Sequence, residues 1–174
     1  DFQSLDRLLD HLVNNEIDYL VVMGTTAESA TLSKEEQKHL LQHIKVKIKN
    51  QLPIVLGVGG NDTNAIIERI NDFELDGIEA ILSVSPYYNK PTQEGLFAHY
   101  EKIAKYSPLD LVLYNVPGRT ASDISVETVV NLAQKYSNII GIKEASGDVS
   151  KVMSLIADCP DDFMVISGDD KMTF

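Results

Sequence analysis

The chain has 174 residues, 44% hydrophobic and 24% charged, enough for one well-buried core and too few for two, which excludes a disordered or fibrous protein. Lys and Arg number 15 against 26 Asp and Glu, a formal charge of -11, so a nucleic-acid backbone would be repelled rather than collected. Cys159 is the single cysteine, which fits a reducing compartment; no apolar run reaches the length of a membrane span, and no signal-peptide pattern opens the sequence. The sequence begins at Asp1 rather than at methionine, which leaves a removed targeting segment as an open alternative.

Leu5, Leu8, Leu9, Leu12 and Val13 recur at helical spacing and predict an amphipathic helix ending near Asn14 and Asn15. The run Tyr19 to Met23, closed by Gly24, reads as a buried strand. Ser33 and Glu36 form a capping-box pair that opens a helix with Leu40, Leu41, Ile44 and Ile48 on its buried stripe. Pro53 to Gly57 is again strand then glycine, and Asp62-Thr63-Asn64 leads into a helix carrying Ile66, Ile67, Ile70 and Phe73. Strands are predicted at 77–84 and 109–114, with helices at 92–106 and 125–136. A strand through Ile139, Ile140 and Ile142 ends at Lys143; a helix with Val149, Val152, Met153 and Ile156 follows, and then the run Phe163 to Ile166.

Six apolar strands thus alternate with helices and none is joined to the next by a hairpin turn, the α/β pattern of a parallel sheet with crossovers. A doubly wound sheet and a (β/α)8 barrel compete for it. The nucleotide-binding glycine fingerprint of the former is missing: Thr25-Thr26-Ala27 follows Gly24, and Asp62 stands where the third glycine after Gly57 and Gly59 would belong. Chemistry-bearing residues are spread over the ends of at least four strands, as in a TIM barrel. A barrel needs about eight strands, so six imply a fragment.

Lys143 ends an apolar strand, where lost hydration favours the neutral amine that attacks a carbonyl. A strand-end lysine paired with Glu144 and facing water is the competing reading. The other strand ends supply Thr25 and Thr26, then Ser85-Pro86-Tyr87-Tyr88, then Tyr114 through Thr120, then Gly168-Asp169-Asp170. A phenol near a Schiff-base lysine can pass protons to and from a carbinolamine, and Arg119 in its Gly-Pro turn suits a two-pronged bond to a carboxylate. Each residue alone also has an ordinary structural role, as a cap, a core ring or a surface ion-pair partner; their joint occurrence at successive strand ends favours a site.

The segments Gly24 to Ser29, Pro86 to Pro91, Tyr114 to Thr120, Gly141 to Ala145 and Ser167 to Asp170 resemble the dihydrodipicolinate synthase family, of the pyruvate-dependent class I aldolase superfamily. The resemblance runs in order over the chain and implies one (β/α) barrel domain over 1–174, lacking the first strand and the C-terminal strand and helices. It implies condensation of pyruvate with L-aspartate 4-semialdehyde on an imine at Lys143, with Tyr114 as proton donor and acceptor. Thr25 would link Tyr114 to Tyr88, the latter supplied by a neighbouring subunit. Thr26 would hold the pyruvate carboxylate, Arg119 the carboxylate of the semialdehyde, and the Gly168 backbone would contact bound substrate. No cofactor or metal is implied, the setting is cytoplasmic, and the assembly is a homotetramer, a dimer of dimers. N-acetylneuraminate lyase, with the same lysine and tyrosine chemistry, is the alternative within the superfamily; Arg119 favours the short aldehyde over a sugar. A barrel that binds carboxylates without turning them over is the alternative outside it.

Ala27 replaces the family's usual glycine and is expected to have negative φ. Ser29, Ala30, Asn61 and Tyr87 match the family's lysine-inhibition pocket, whereas Ala65 replaces its glutamate and Lys34 and Gln37 its histidines. Weak or absent lysine feedback is therefore expected, and an inhibition curve on the intact enzyme checks it. His39 and His43 lie one helical turn apart without a third metal ligand in view. Asp169 and Asp170 read as acids favouring the next helix N-terminus.

Overall fold

Apolar side chains that fill both faces of a strand require cover on both, and the sheet obtains it from helices on one side and only in part from its own curvature on the other. In the computed structural model, which describes residues 1–49 and 51–172, α1 (Phe2–Asn14) is followed by β1 (Leu20–Val22), α2 (Lys34–Ile48), β2 (Ile54–Gly57), α3 (Thr63–Asp72) and β3 (Ile78–Val84). Then come α4 (Gln93–Tyr106), β4 (Asp110–Asn115), α5 (Pro117–Thr120), α6 (Val126–Lys135), β5 (Ile139–Glu144), α7 (Val149–Asp158) and β6 (Met164–Ser167). The strands pair in parallel in the order β1-β2-β3-β4-β5-β6. A doubly wound sheet reverses its order at a switch point; this one never does, and it curls into a partial (β/α) barrel. Among the described residues no helix is long and apolar enough to cross a membrane.

Local chemistry fixes the helix starts. Asp1, Ser33, Asp62, Thr92, Ser125 and Asp148 each place a side-chain oxygen on a backbone N–H of the first turn that follows. The Ser33–Glu36 capping box is complete in both directions. Two apolar layers result. The outer core joins Leu56, Ile81, Leu111 and Ile142 to the helices, and the interior cluster gathers Ala80, Leu82, Val112, Tyr114 and Val116 on the concave side.

One irregularity decides where Lys143 points. Leu111 pairs with Ile139 but Val112 pairs with Gly141, so β5 carries an extra residue, Ile140. Ile139 and Ile142 both lie in the outer core and Ile140 on the concave side. Strict alternation from Ile139 would have put Lys143 outward among the helices. The bulge reverses its face and brings it beside Tyr114. Gly141 sits within the irregular stretch, where a Cβ would stand 2.7 Å from the Met164 carbonyl oxygen, so only glycine lets β6 approach this closely.

Candidate active site

The site lies where the strands stop. After β1, Met23 turns left-handed and Gly24 leads into a single 3₁₀ turn, Thr25–Ala27, which carries both threonines on exposed backbone. Ala27 avoids positive φ, as expected, and the left-handed residue is its neighbour Glu28, at φ 52. After β4, the stretch expected to be a plain turn is the one-turn helix α5. Proline supplies the preset φ at its start, and the Val116 carbonyl accepts from the Arg119 and Thr120 amides at 2.9 and 3.1 Å.

Tyr114 and Lys143 are register partners on β4 and β5. The Lys143 ammonium nitrogen lies 4.8 Å from the centroid of the buried Tyr114 ring, a cation–π distance. The reading in which Lys143 pairs with Glu144 does not hold, because Glu144 turns to the opposite face and is engaged there by Asn115, Ser146 and Lys151. On the β6 side, a Cβ on Gly168 would come within 3.2 Å of Lys143 Cε and 2.6 Å of Ala145 Cβ. The Gly168 amide donates to the Glu144 carbonyl at 2.8 Å. Lys143 is thus flanked by a phenol on one side and by bare backbone on the other.

A cavity of about 460 Å³ opens over the same strand ends, and Thr25, Tyr114 and Arg119 all line it. Thr26, Lys143 and Gly168 stand outside its lining, Lys143 being connected to it through the Tyr114 ring. Tyr88 is also outside: it is 87% exposed with left-handed backbone, φ 71, while Tyr87 faces the cavity in its stead. Ser29, Ala30 and Gln37 line the far wall. Gln37 is held by the Ser29 and Leu32 carbonyls and by Arg69, so its amide is already engaged.

Among the described residues no group of three His, Cys, Asp or Glu side chains could hold a metal ion. His39 and His43 pack instead against the Phe2 ring, and His43 Nε2 lies 2.7 Å from Asp6 Oδ1. Asp170 opens the 3₁₀ turn Asp170–Met172, and Asp169 accepts from the Lys171 amide at 3.1 Å, the capping role expected of these acids.

Sequence reasoning passed over a polar cluster on the convex side. Asn115 Nδ2 donates to Asp123 Oδ1 at 2.7 Å and to Glu144 Oε2 at 2.9 Å, and Asn115 Oδ1 accepts from the Ile124 amide at 3.1 Å. Glu144 Oε1 accepts from the Ser146 amide at 2.7 Å. Lys151 is ion-paired to Asp123 and lies 3.6 Å from Glu144 Oε2. Its signal was the polar residue immediately after Tyr114 and after Lys143, each ending an otherwise apolar strand.

Fold and cavity together define a partial (β/α)-barrel protein with its candidate site at the carboxyl ends of the strands. The chain belongs to the dihydrodipicolinate synthetase family, whose model matches residues 1–174. It is 50% identical over 173 residues to 4-hydroxy-tetrahydrodipicolinate synthase of Flavobacterium psychrophilum, covering 99% of this chain and 59% of that protein. It resembles the chloride-inhibited dihydrodipicolinate synthase of Acinetobacter baumannii complexed with pyruvate, with TM-score 0.93 and 43% identity over 98% of this chain and 58% of that one. It resembles equally the lysine-bound enzyme of Cyanidioschyzon merolae, with TM-score 0.93 and 38% identity over 99% of this chain and 59% of that one. The chain therefore spans a little under three-fifths of the relatives it matches, 59% in the Flavobacterium case.

Proposed function

We propose that the protein condenses pyruvate with L-aspartate 4-semialdehyde to give 4-hydroxy-tetrahydrodipicolinate, the first committed step of lysine biosynthesis through diaminopimelate. The observation that carries this reading is the amine of Lys143 held 4.8 Å from the Tyr114 ring, with Arg119 and Thr25 on the cavity that the same phenol lines. The Lys143 amine adds to the pyruvate ketone and water leaves, giving an imine. A methyl proton is then lost, with Tyr114 as donor and acceptor, and the resulting enamine carbon attacks the aldehyde of the second substrate. The amino group of that substrate closes the ring on the imine carbon and releases Lys143. Both substrates are carboxylates entering a protein of charge -11, so local donors have to hold them. Thr26 serves pyruvate, Arg119 the semialdehyde, and the Gly168 backbone the bound intermediate.

Tyr88 supports an oligomeric reading. Its left-handed backbone and 87% exposure direct it away from its own cavity, as a residue serving a neighbouring subunit would be, with Thr25 linking it to that subunit's Tyr114. A homotetramer in the cytoplasm, with the substrate imine in place of any cofactor, completes the proposal. Borohydride reduction of the intact protein with pyruvate is expected to add one reduced pyruvyl group, and Lys143→Ala to abolish it. No adduct on the wild type, or an undiminished one on the variant, would refute the imine. Turnover of L-aspartate 4-semialdehyde, but not of a pyruvate–sugar adduct, separates the synthase from a lyase of the neuraminate type.

A further inference from the structure

We propose that Asn115, Asp123, Glu144 and Lys151 are positioning residues that set the mutual placement of Tyr114, Lys143 and Arg119; this rests on the imine reading given above. Asn115 and Glu144 are register partners one residue beyond the Tyr114–Lys143 pair, and their side chains bond on the convex face. The backbones of the same two residues span three strands at the level of the site: the Asn115 carbonyl accepts from the Ala145 amide and the Glu144 carbonyl from the Gly168 amide, both at 2.8 Å. Arg119 is referenced to the same point. Its loop leaves β4 at Asn115 and returns at Asp123 and Ile124, both of which Asn115 binds by its side chain.

The cluster is rigid for an electrostatic reason. The Glu144 and Lys151 side chains are 1% and 8% exposed, so both charges have left bulk water and depend on partners within the cluster. Asn115 uses its amide nitrogen and oxygen in three directions at once, which fixes its rotamer. A slip of β5 against β4 would strand a buried carboxylate and a buried ammonium together. Because a buried ion pair adds little net stability once its desolvation is counted, the role we assign to it is geometric. The geometry it selects is the one that sets an amine against a phenol, and small misplacements of reacting groups are costly in rate.

The test is pre-steady-state imine formation, read by borohydride trapping with pyruvate, on intact protein that circular dichroism shows to be folded. Lys151→Met is expected to slow trapping roughly ten- to a hundredfold at saturating pyruvate, with little change in the pyruvate concentration needed for saturation. Lys151→Arg, which keeps a cation between the two acids, is expected to restore most of the rate. A folded Lys151→Met variant that traps at the wild-type rate would overturn the proposal, because a cluster acting only on stability lowers the melting temperature and leaves trapping alone. Should Lys151→Met fail to fold, Asp123→Ala takes its place with the same expectation and the same refuting result, since the Asp123 side chain is 57% exposed and its truncation leaves no cavity in the core. Absence of any adduct on the wild type is the distinct outcome that would remove the imine reading, and this proposal with it.

Discussion

At Gly168 bare backbone stands against the Lys143 stem. A methyl group there would have to displace Ala145 Cβ, 2.6 Å away, and would press on the Glu144 carbonyl oxygen and Lys143 Cε, both at 3.2 Å. Ala145 and the carbonyl belong to the end of β5 and its turn, whereas Lys143 Cε is part of a flexible stem. The 2.6 Å clash therefore has to be relieved by the turns after β5 and β6, and the Lys143 stem shifts with them. Gly168→Ala is expected to cost about 1–3 kcal/mol of stability as overpacking and, on the imine reading proposed above, to slow imine formation more than it raises the pyruvate KM, because the amine is moved off the Tyr114 ring. Trapping kinetics and a urea melt on the same preparation check both halves. An alanine variant with unaltered trapping would mean that the stem relaxes without consequence for the amine.

At the scale of elements, the six strands, the helices after them and the helix starts at Ser33, Asp62, Thr92 and Ser125 were legible in the sequence, because apolar period and capping chemistry are local; the caps at Asp1 and Asp148 were not read. The facing of β5 was not. Ile139, Ile140 and Ile142 read as one buried run, and nothing in those letters shows that Ile140 is an extra residue turning Lys143 to the concave side. The β4 turn was equally opaque: Pro117 and Gly118 suggest a bend, yet proline at a first helical position suits one turn of helix, which is what carries Arg119. Glu144 was read only as a partner for Lys143 and Asn115 only as part of the segment Tyr114 to Thr120, because the cluster joins β4, the loop after it, β5 and α7, which meet only on folding. Between α3 and α4 one fastening, beside the hydrogen bond from Lys102 to Asn64, is His99, which shares a 2.8 Å hydrogen bond with Thr63 and whose Nε2 has no partner among the described residues. Burial pushes its pKa from 6.5 down to about 4. The unfolded chain takes up this proton first, so the contribution of the neutral ring is fully present above pH 6.5 and is lost as the pH falls toward 4. The span corresponds to something on the order of 3 kcal/mol. His99→Gln, which cannot titrate, is expected to flatten that part of the curve. Urea midpoints of wild type and variant should therefore converge between neutral pH and the acid end of the window, and parallel curves would exclude the histidine as the cause.

For the whole 174 residues, the concave side of the sheet is the weak point. Val21, Val55, Val84, Ile140 and Ile166 are only partly buried there, and β1 and β6 each have a single neighbour. On α7, Met153 and Ile156 are each 65% exposed, and Met164 on the outermost strand is 43% exposed. Open parallel edges beside uncovered apolar surface recruit further chains. Opposing this is a net charge of -11, whose repulsion between copies acts over roughly a Debye length of about 10 Å at 0.1 M salt and about 3 Å at 1 M. The two effects scale differently with ionic strength: screening removes the repulsion, while apolar burial and strand pairing persist. These 174 residues expressed by themselves are therefore expected to self-associate increasingly as salt is raised, to bind an apolar fluorescent dye, and to show no sharp unfolding transition and no turnover. Sedimentation velocity at low and high salt, with a thermal melt, reads this directly. A salt-independent monomer with cooperative unfolding and full activity would mean that the curled six-stranded sheet covers its own interior.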